Sequence, residues 1–533
     1  MSLTILFFGR IEHMKKSPNI LFIMVDELAP QVLPTYGHQV VQAPNITKLA
    51  ERGVVFDAAY TNSPLCAPAR AAMLTGRLAP EIQAWDNGAE LSSELPTIAH
   101  YLRAAGYDTA LSGKMHFIGP DQLHGYQERL TTDIYPADFS WTANWSRPPT
   151  DPNPAGVSMR PVLEAGSCLK NLQIDYDEEV QFEAKKWLWN RARQQKDSKP
   201  FFLTVSYTHP HPPFVAQQEY WDMYRAEDID LPHVGALPPD KLDPASLGIY
   251  YNHRRDKMPI SRQNIIDARR AYYAMVTWVD HQIGDLLATL KSCGLDENTI
   301  IVLTSDHGEM LGERGMWFKM SMYEWSVRVP LIVAWPEKYH HHRVSKNVSL
   351  IDLLPTFVDI CHQKEKYPID AIETLSGHSL LPFLTGQDDP AWPDVAISDF
   401  TAGGVPGPLR MVKKGHWKLI CVGSHPPQLF DLETDPDELL DLSTDPAAAE
   451  ILNQLLTIAC DGYDSALVDQ QVRKSQRRRL LIKEVDSLSG APETWNWKVQ
   501  PEDDIRFVRG GGLQHGEHAT KARARFPFIP ESH

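Results

Sequence analysis

The sequence predicts an α/β fold: a large, mostly parallel sheet sandwiched by helices, followed by a smaller C-terminal antiparallel sheet. Three observations carry that prediction. Short, continuously apolar runs end in acids or other polar residues, as buried parallel strands do: "NILFIMVD" (19–26), "PFFLTVSYTHPH" (200–211) and "NTIIVLTSDHG" (298–308). Helix-like stretches alternate with these runs. Beyond about residue 390 the pattern changes to short strands, "LRMVKKGHWKLICV" and then "QLFDLETDPDELLDL".

Taken in order, the first strand is followed by "APNITKLAERG", a helix with Gly53 at its end, and then by "VVFDAAY". "LPTIAHYLRAAGYDTALSGK" reads as a helix closed by Gly106 and then a strand. A helix near 175–195 precedes the strand at 200–211, and another near 263–292 precedes the strand at 298–308. "VPLIVAWP" (329–336) leads into the helix "SLIDLLPTFVDIC". Segments 134–172 and 226–262, rich in Pro, Asp and Asn, read as long loops, which in compact domains are often functional.

At 533 residues the chain is long for one core, so a large domain with an appendage is expected. The boundaries read as a leader at 1–16, a catalytic domain at 17–390, a small α+β subdomain at 391–470 and a tail at 471–533. Within that tail, "QQVRKSQRRRLLIKEV" is either a solvated helix face or an arm that packs on another subunit. With 52 basic and 68 acidic residues, the net charge of −16 argues against a general nucleic-acid binder. A local cluster of cations can still receive an anionic substrate. Six cysteines, at 66, 168, 293, 361, 421 and 460, show no paired spacing, which suits a reducing compartment, and a cytoplasmic location is expected. The leader lacks a signal-peptide cleavage site, and no apolar run approaches the ~18 residues of a membrane span.

Ligands of open α/β sheets bind at the carboxyl ends of the strands. At those ends this sequence places Asp26 and Glu27, Lys114 and His116, His209 and His211, and Asp306 and His307. The carboxylates offer hard oxygens with no thiolate pair nearby, which favours Ca²⁺, Mg²⁺ or Mn²⁺ over zinc. Lys114, His116, His209, Lys319 and Arg70 supply positive charge, as the cleavage of a compact oxyanion requires.

"NSPLCAPARAAMLTGR" (62–77) completes the set. With Asp26 and "SDHG", its Cys66, Pro68, Arg70, Leu74, Thr75 and Gly76 resemble type I sulfatases of the alkaline phosphatase superfamily. In that family the run directs oxidation of the cysteine to formylglycine (3-oxoalanine), by a formylglycine-generating or anaerobic sulfatase-maturating enzyme. The resemblance implies a hydrated aldehyde at position 66 and a divalent metal, calcium first and manganese or magnesium next. Asp26, Glu27, Asp306, His307 and residue 66 would hold that metal. It implies that Arg70 holds the diol, that His209 and Lys319 bind sulfate and protonate the leaving alcohol, and that His116 acts as base beside Lys114. The usual pair of adjacent aspartates is replaced here by Asp26-Glu27.

Segments 112–142 and 311–320 are most similar to choline sulfatases, whose oligomerising tails the last residues also resemble in style, so a homodimer or homotetramer is expected. Trp141, Trp145 and Trp317 are candidate walls of an aromatic cage for a cationic alcohol. Segment 145–172 lacks the His-Asn pair of choline sites, and Lys498 stands where an acid is expected, which favours a neutral or anionic alcohol. The expected substrate is therefore a small alkyl or aryl sulfate monoester of the choline-sulfate kind. The alternative is a phosphonate monoester hydrolase or phosphodiesterase of the same superfamily, to which 211–228 is similar; the pair Lys114 and His116 favours the sulfatase. A binding protein with a dead site would not need the full modification signature, the metal carboxylates and both cationic pairs.

Overall fold

A computed structural model describes residues 17–148, 158–194, 199–336, 338–361, 374–489 and 525–527. Eight strands form one sheet: β1 (Asn19–Asp26), β2 (Val54–Tyr60), β3 (Asp108–Gly113), β4 (Glu128–Arg129), β5 (Phe201–Pro210), β6 (Thr299–Thr304), β7 (Arg328–Ala334) and β8 (His342–Ser349). Their spatial order is β8-β2-β7-β6-β1-β5-β3-β4. Pairing is parallel throughout except at β7, which runs antiparallel to both β2 and β6.

The central strand shows why the apolar runs do not alternate. Leu21, Ile23 and Val25 of β1 face one core, and Ile20, Phe22 and Met24 face the other. The first core is covered by α1 (Pro44–Ala50), α4 (Leu172–Arg193) and α5 (Arg262–Ser292), and the second by α2 (Cys66–Thr75), α3 (Ile98–Ala104) and α6 (Leu353–Ile360). Ser261 and Asn264 cap the start of α5 reciprocally. Buried Asp280 of α5 accepts from the amides of Asn45 and Ile46, which Ala43 has no side-chain oxygen to serve. One expectation fails locally: segment 226–262 is not all loop, because Pro244–Asn252 is a helix capped by Asp243. Its Asp-Pro start is a helix signal that the high proline content of the segment obscured.

The second sheet is an antiparallel meander of β9 (Val395–Phe400), β10 (Leu409–Lys414), β11 (Trp417–Val422) and β12 (Gln428–Asp431). Helix α7 (Ala449–Cys460) packs on it, and α8 (Ser465–Ser489) follows. Lys418 of β11, fully buried, bonds Glu324 and Glu438 and so ties this sheet to the segment that leads into β7.

Strands β1, β3, β5 and β6 all end on one edge of the large sheet. Gly113 closes β3 with φ +107°, and a Cβ placed there would lie 2.0 Å from the Ser206 carbonyl oxygen of β5. The close approach brings Lys114 to the neighbouring strand ends, since its amide donates to that same carbonyl at 3.0 Å. Gly113→Ala is expected to destabilise the protein by about 2–4 kcal/mol, the sum of left-handed strain and overpacking, as read by urea denaturation.

Candidate active site

Asp26 ends β1 and Asp306 follows β6, and short bonds lock the two strand ends together. The Asp306 carboxylate accepts from the Glu27 and His307 amides, each at 3.1 Å, and Ser305 Oγ accepts from the Leu28 amide at 2.9 Å. The chain makes this turn by placing Glu27 at φ 64°. Cys66 opens α2 directly above. Leu65 offers that helix no side-chain cap, and Asn87 Oδ1 accepts from the Ala67 amide instead at 3.0 Å. Arg70 lies one turn further along the same helix face. Its Nε donates to Asp306 Oδ2 at 2.8 Å, and its Nη1 to the Lys114 carbonyl and Ser206 Oγ at 2.5 and 2.9 Å. Lys114 Nζ bonds Asp26 Oδ2.

The ligand atoms of Asp26, Cys66, Asp306 and His307 lie within 4.8 Å of one another, all buried. His307 Nε2 stands 3.2 Å from Cys66 Sγ, while Nδ1 faces the Gly308 carbonyl oxygen at 3.1 Å. Burial keeps the His307 imidazole below its ordinary pKa, so a neutral nitrogen faces the cluster. Burial alone would raise Asp306, but Arg70, His307 and Lys114 hold it well below the usual carboxylate range. Burial also pushes the Cys66 thiol up to about 11, against the pull of Lys114 and Lys319, so the unmodified thiol is a poor nucleophile at neutral pH. Arg70 Nη2 is buried with no hydrogen-bond partner among the described residues. Two carboxylates, a neutral imidazole nitrogen and a guanidinium nitrogen that makes no hydrogen bond among the described residues fit, around position 66, a divalent cation with an oxygen-bearing group beside it.

Two cationic flanks border this centre. On one, the Met115 and His116 amides donate to Asp133, which fixes His116 at φ 60°. Neither ring nitrogen of His116 has a hydrogen-bond partner among the described residues, and burial together with Lys114 holds the imidazole well below its ordinary pKa. The ring lies 5.0 Å from Tyr135 and edge-on to Trp141 at 5.4 Å. On the other flank, Lys319 Nζ is 2.5 Å from Glu27 Oε2 and 2.7 Å from His211 Nε2. Burial works against its charge, but Cys66, Glu27 and Asp26 keep Lys319 above its ordinary value. Tyr135 joins the flanks, with Lys114 Nζ 4.2 Å above its ring and its hydroxyl 3.1 Å from His211 Nδ1.

Residues 18–362 match the Sulfatase family model. The chain belongs to the sulfatase family. Residues 312–459 also match the C-terminal region of N-sulphoglucosamine sulphohydrolase. The choline-sulfatase of Rhizobium meliloti (strain 1021) is 39% identical over 499 residues, 92% of this chain and 96% of that protein. Arylsulfatase K of Bos taurus is 30% identical over 455 residues, 80% of this chain and 78% of that one. Among solved structures, the phosphonate monoester hydrolase of Agrobacterium radiobacter shares the fold, with a TM-score of 0.68 at 22% identity over 84% of this chain and 96% of that one. This sulfatase is accordingly a sulfuric ester hydrolase, on a fold that it shares with the phosphonate monoester hydrolase.

The structure brings together Asp26, Lys114, His116, Asp306 and His307 from strand ends, Cys66 and Arg70 from α2, and Lys319 from the segment after β6. The position beside Lys319 belongs to His211 and not to His209. The His209 ring turns away, with Nδ1 2.6 Å from Asp177 of α4 and its face 4.4 Å from Trp278 of α5. Both histidines stand at the end of one strand, and partners distant in sequence, Asp177 and Trp278 for one and Lys319 and Tyr135 for the other, distinguish them. Glu27 groups with Asp26 and His211 rather than with Cys66. The three tryptophans are placed differently. Trp141 touches His116, whereas Trp145 donates its indole N–H to the Ala402 carbonyl and Trp317 packs on Phe214. Lys498 lies outside the described residues.

Behind Lys319, the fully buried His253 ring meets Phe318 edge-on at 5.3 Å, and neither of its nitrogens is hydrogen-bonded among the described residues. Burial lowers its pKa to about 3. A folded value below the unfolded one means the unfolded chain binds the extra proton between the two. The stabilisation is therefore complete above about pH 6.5 and is lost as pH falls toward 3, at up to ~1.4 kcal/mol per pH unit. Urea midpoints measured across that window are expected to fall with pH less steeply for His253→Leu than for the wild type.

Proposed function

We propose that this enzyme hydrolyses a small sulfate monoester of the choline-sulfate kind at a formylglycine made from Cys66. The observation that carries the reading is the placement of Cys66 at the start of α2, with His307 Nε2 3.2 Å away and Asp26, Asp306 and Arg70 around it. The 39% identity to a choline-sulfatase along nearly the whole chain supports the substrate class.

Asp26, Asp306 and His307 would hold the divalent metal, calcium by preference. Together, metal and hydrated formylglycine would supply Lewis acidity, a hydroxyl for attack on sulfur and a second hydroxyl whose deprotonation releases sulfate. Arg70, anchored on Asp306, would offer its Nη2, which makes no hydrogen bond among the described residues, to an oxygen at position 66. Lys319 and His211 would bind the sulfate oxygens and deliver a proton to the leaving alcohol. His116, neutral because it is buried beside Lys114, is the group suited to accept a proton on the opposite flank.

Mass spectrometry of the peptide containing residue 66 is expected to show sulfur exchanged for aldehyde oxygen. Cys66→Ser is expected to abolish multiple turnover, because a serine ester has no second hydroxyl. Turnover of choline sulfate, an aryl sulfate and an aryl phosphonate monoester by one modified, metal-loaded sample tests the substrate class. A leading phosphonate rate would overturn the sulfatase assignment of the Lys114 and His116 flank. His211→Ala is expected to lower kcat by about 10²–10⁴-fold, the range of a positioned proton donor. His209→Ala is expected to act mainly on stability, since that ring packs on Trp278 and Asp177.

A further inference from the structure

Helix α8 presents Arg473, Gln476, Arg479 and Lys483 at spacings of three, three and four, a single helical face. Each of the four bonds one segment of the same chain, loop 138–147, or what lies directly beneath it. Arg473 Nη1 donates to the Trp145 carbonyl at 2.8 Å, and Gln476 Oε1 accepts from the Trp145 amide at 2.9 Å. Lys483 Nζ donates to the Ser140 carbonyl at 3.0 Å. Arg479, buried, forks onto both Asp86 oxygens at 2.5 and 3.1 Å and also reaches Thr142 Oγ1 at 3.1 Å. Asp86 in turn accepts from the Ala143 amide at 3.2 Å and the Gly88 amide at 2.9 Å. At Gly88 the backbones touch so closely that a Cβ would fall 2.7 Å from the Thr142 nitrogen.

The strapped loop carries Trp141, whose ring lies 5.4 Å from His116 and 5.1 Å from Tyr135. Lys474, Arg477 and Arg478 on the rest of the helix are exposed, while this one face is bonded within its own chain. It commits a buried bidentate ion pair to the stretch of backbone that sets Trp141 against the catalytic flank. A buried pair of this kind adds little net stability, but its bidentate geometry fixes the direction of both partners.

We propose that Arg479 is a positioning residue for the ester site, resting on the functional reading above. Through Asp86 and Thr142 it holds loop 138–147, and with it Trp141, as the wall that receives the alcohol portion of the substrate. It touches neither the sulfate nor residue 66 and acts only through the loop.

The test compares Arg479→Lys, which keeps the charge but loses the planar fork, with Lys483→Ala and Gln476→Ala, which remove lighter contacts on the same face. Amide hydrogen exchange is followed in 138–147 and steady-state kinetics in the full-length, modified, metal-loaded enzyme. Arg479→Lys is expected to speed exchange in the loop and to raise KM for the preferred ester by about tenfold or more, given how steeply rate and binding depend on ångström-scale placement. The Ki of inorganic sulfate, which occupies only the charged centre, is expected to rise less. Should Arg479→Lys fail to fold, the two lighter variants show the same pattern in weaker form. Wild-type exchange in the loop, or kcat, KM and sulfate Ki all shifted by a common factor, overturns the inference. A wild-type enzyme that hydrolyses no sulfate ester overturns the functional reading, and the inference with it.

Discussion

Two carboxylates without solvent exposure, Asp26 and Asp306, stand at neighbouring strand ends, and the architecture around them is organised by the need to neutralise them. Water cannot do so. Arg70 reaches Asp306 directly and approaches Asp26 at 3.9 Å, while Lys114 takes the other Asp26 oxygen. For Arg70 to arrive there, α2 must begin where β1 and β6 end, which puts Cys66 at the centre of the charge. For Lys114 to arrive, β3 must close on β5 at a residue without a side chain, and Gly113 meets that condition. The remaining room between the carboxylates, His307 and Cys66 suits a divalent cation.

The same concentration of charge explains how a chain of net charge −16 can receive a sulfate ester. Its cations gather where solvent is excluded, and electrostatic interactions there are stronger than at the surface. The two flanks carry different proton states. Burial, reinforced by Lys114, depresses His116, whereas Cys66, Glu27 and Asp26 sustain the charge of Lys319 against its burial. Tyr135 touches both, through its ring on one side and its hydroxyl on the other. Divergent environments thus set apart the proton affinities of otherwise ordinary groups within one site.

Much of this is legible in the amino-acid sequence. Apolar runs of five to eight residues ending in polar groups locate the strands, because a parallel strand buried on both faces has no alternation to hide it. The motif around Cys66 and the acids after 19–25 and 299–305 locate the centre, because ligands of open sheets gather at the carboxyl ends of the strands. Less visible are the features that depend on partners remote in sequence. His209 and His211 are two apart across the end of one strand, and nothing local separates them; the register shift between Val25 and Asp26 opposite Pro210, together with Asp177, turns one ring into the helices and leaves the other beside Lys319. Proline content conceals the helix at Pro244–Asn252, and a basic stretch typical of a solvated face is bonded to its own chain.

The sequence by itself determined the α/β class, the chemistry available at each strand end and the motif that singles out Cys66, since these rest on local pattern and residue type. Tertiary structure alone decided which of two equivalent histidines joins Lys319, that Glu27 serves as the partner of that lysine, and that Trp141 and not Trp145 or Trp317 meets His116. The physical reason is that a side chain's direction at a strand end is set by the charges and rings that surround it. Those groups come from helices and loops up to hundreds of residues away, as Arg479 and Asp86 do across the loop that holds Trp141.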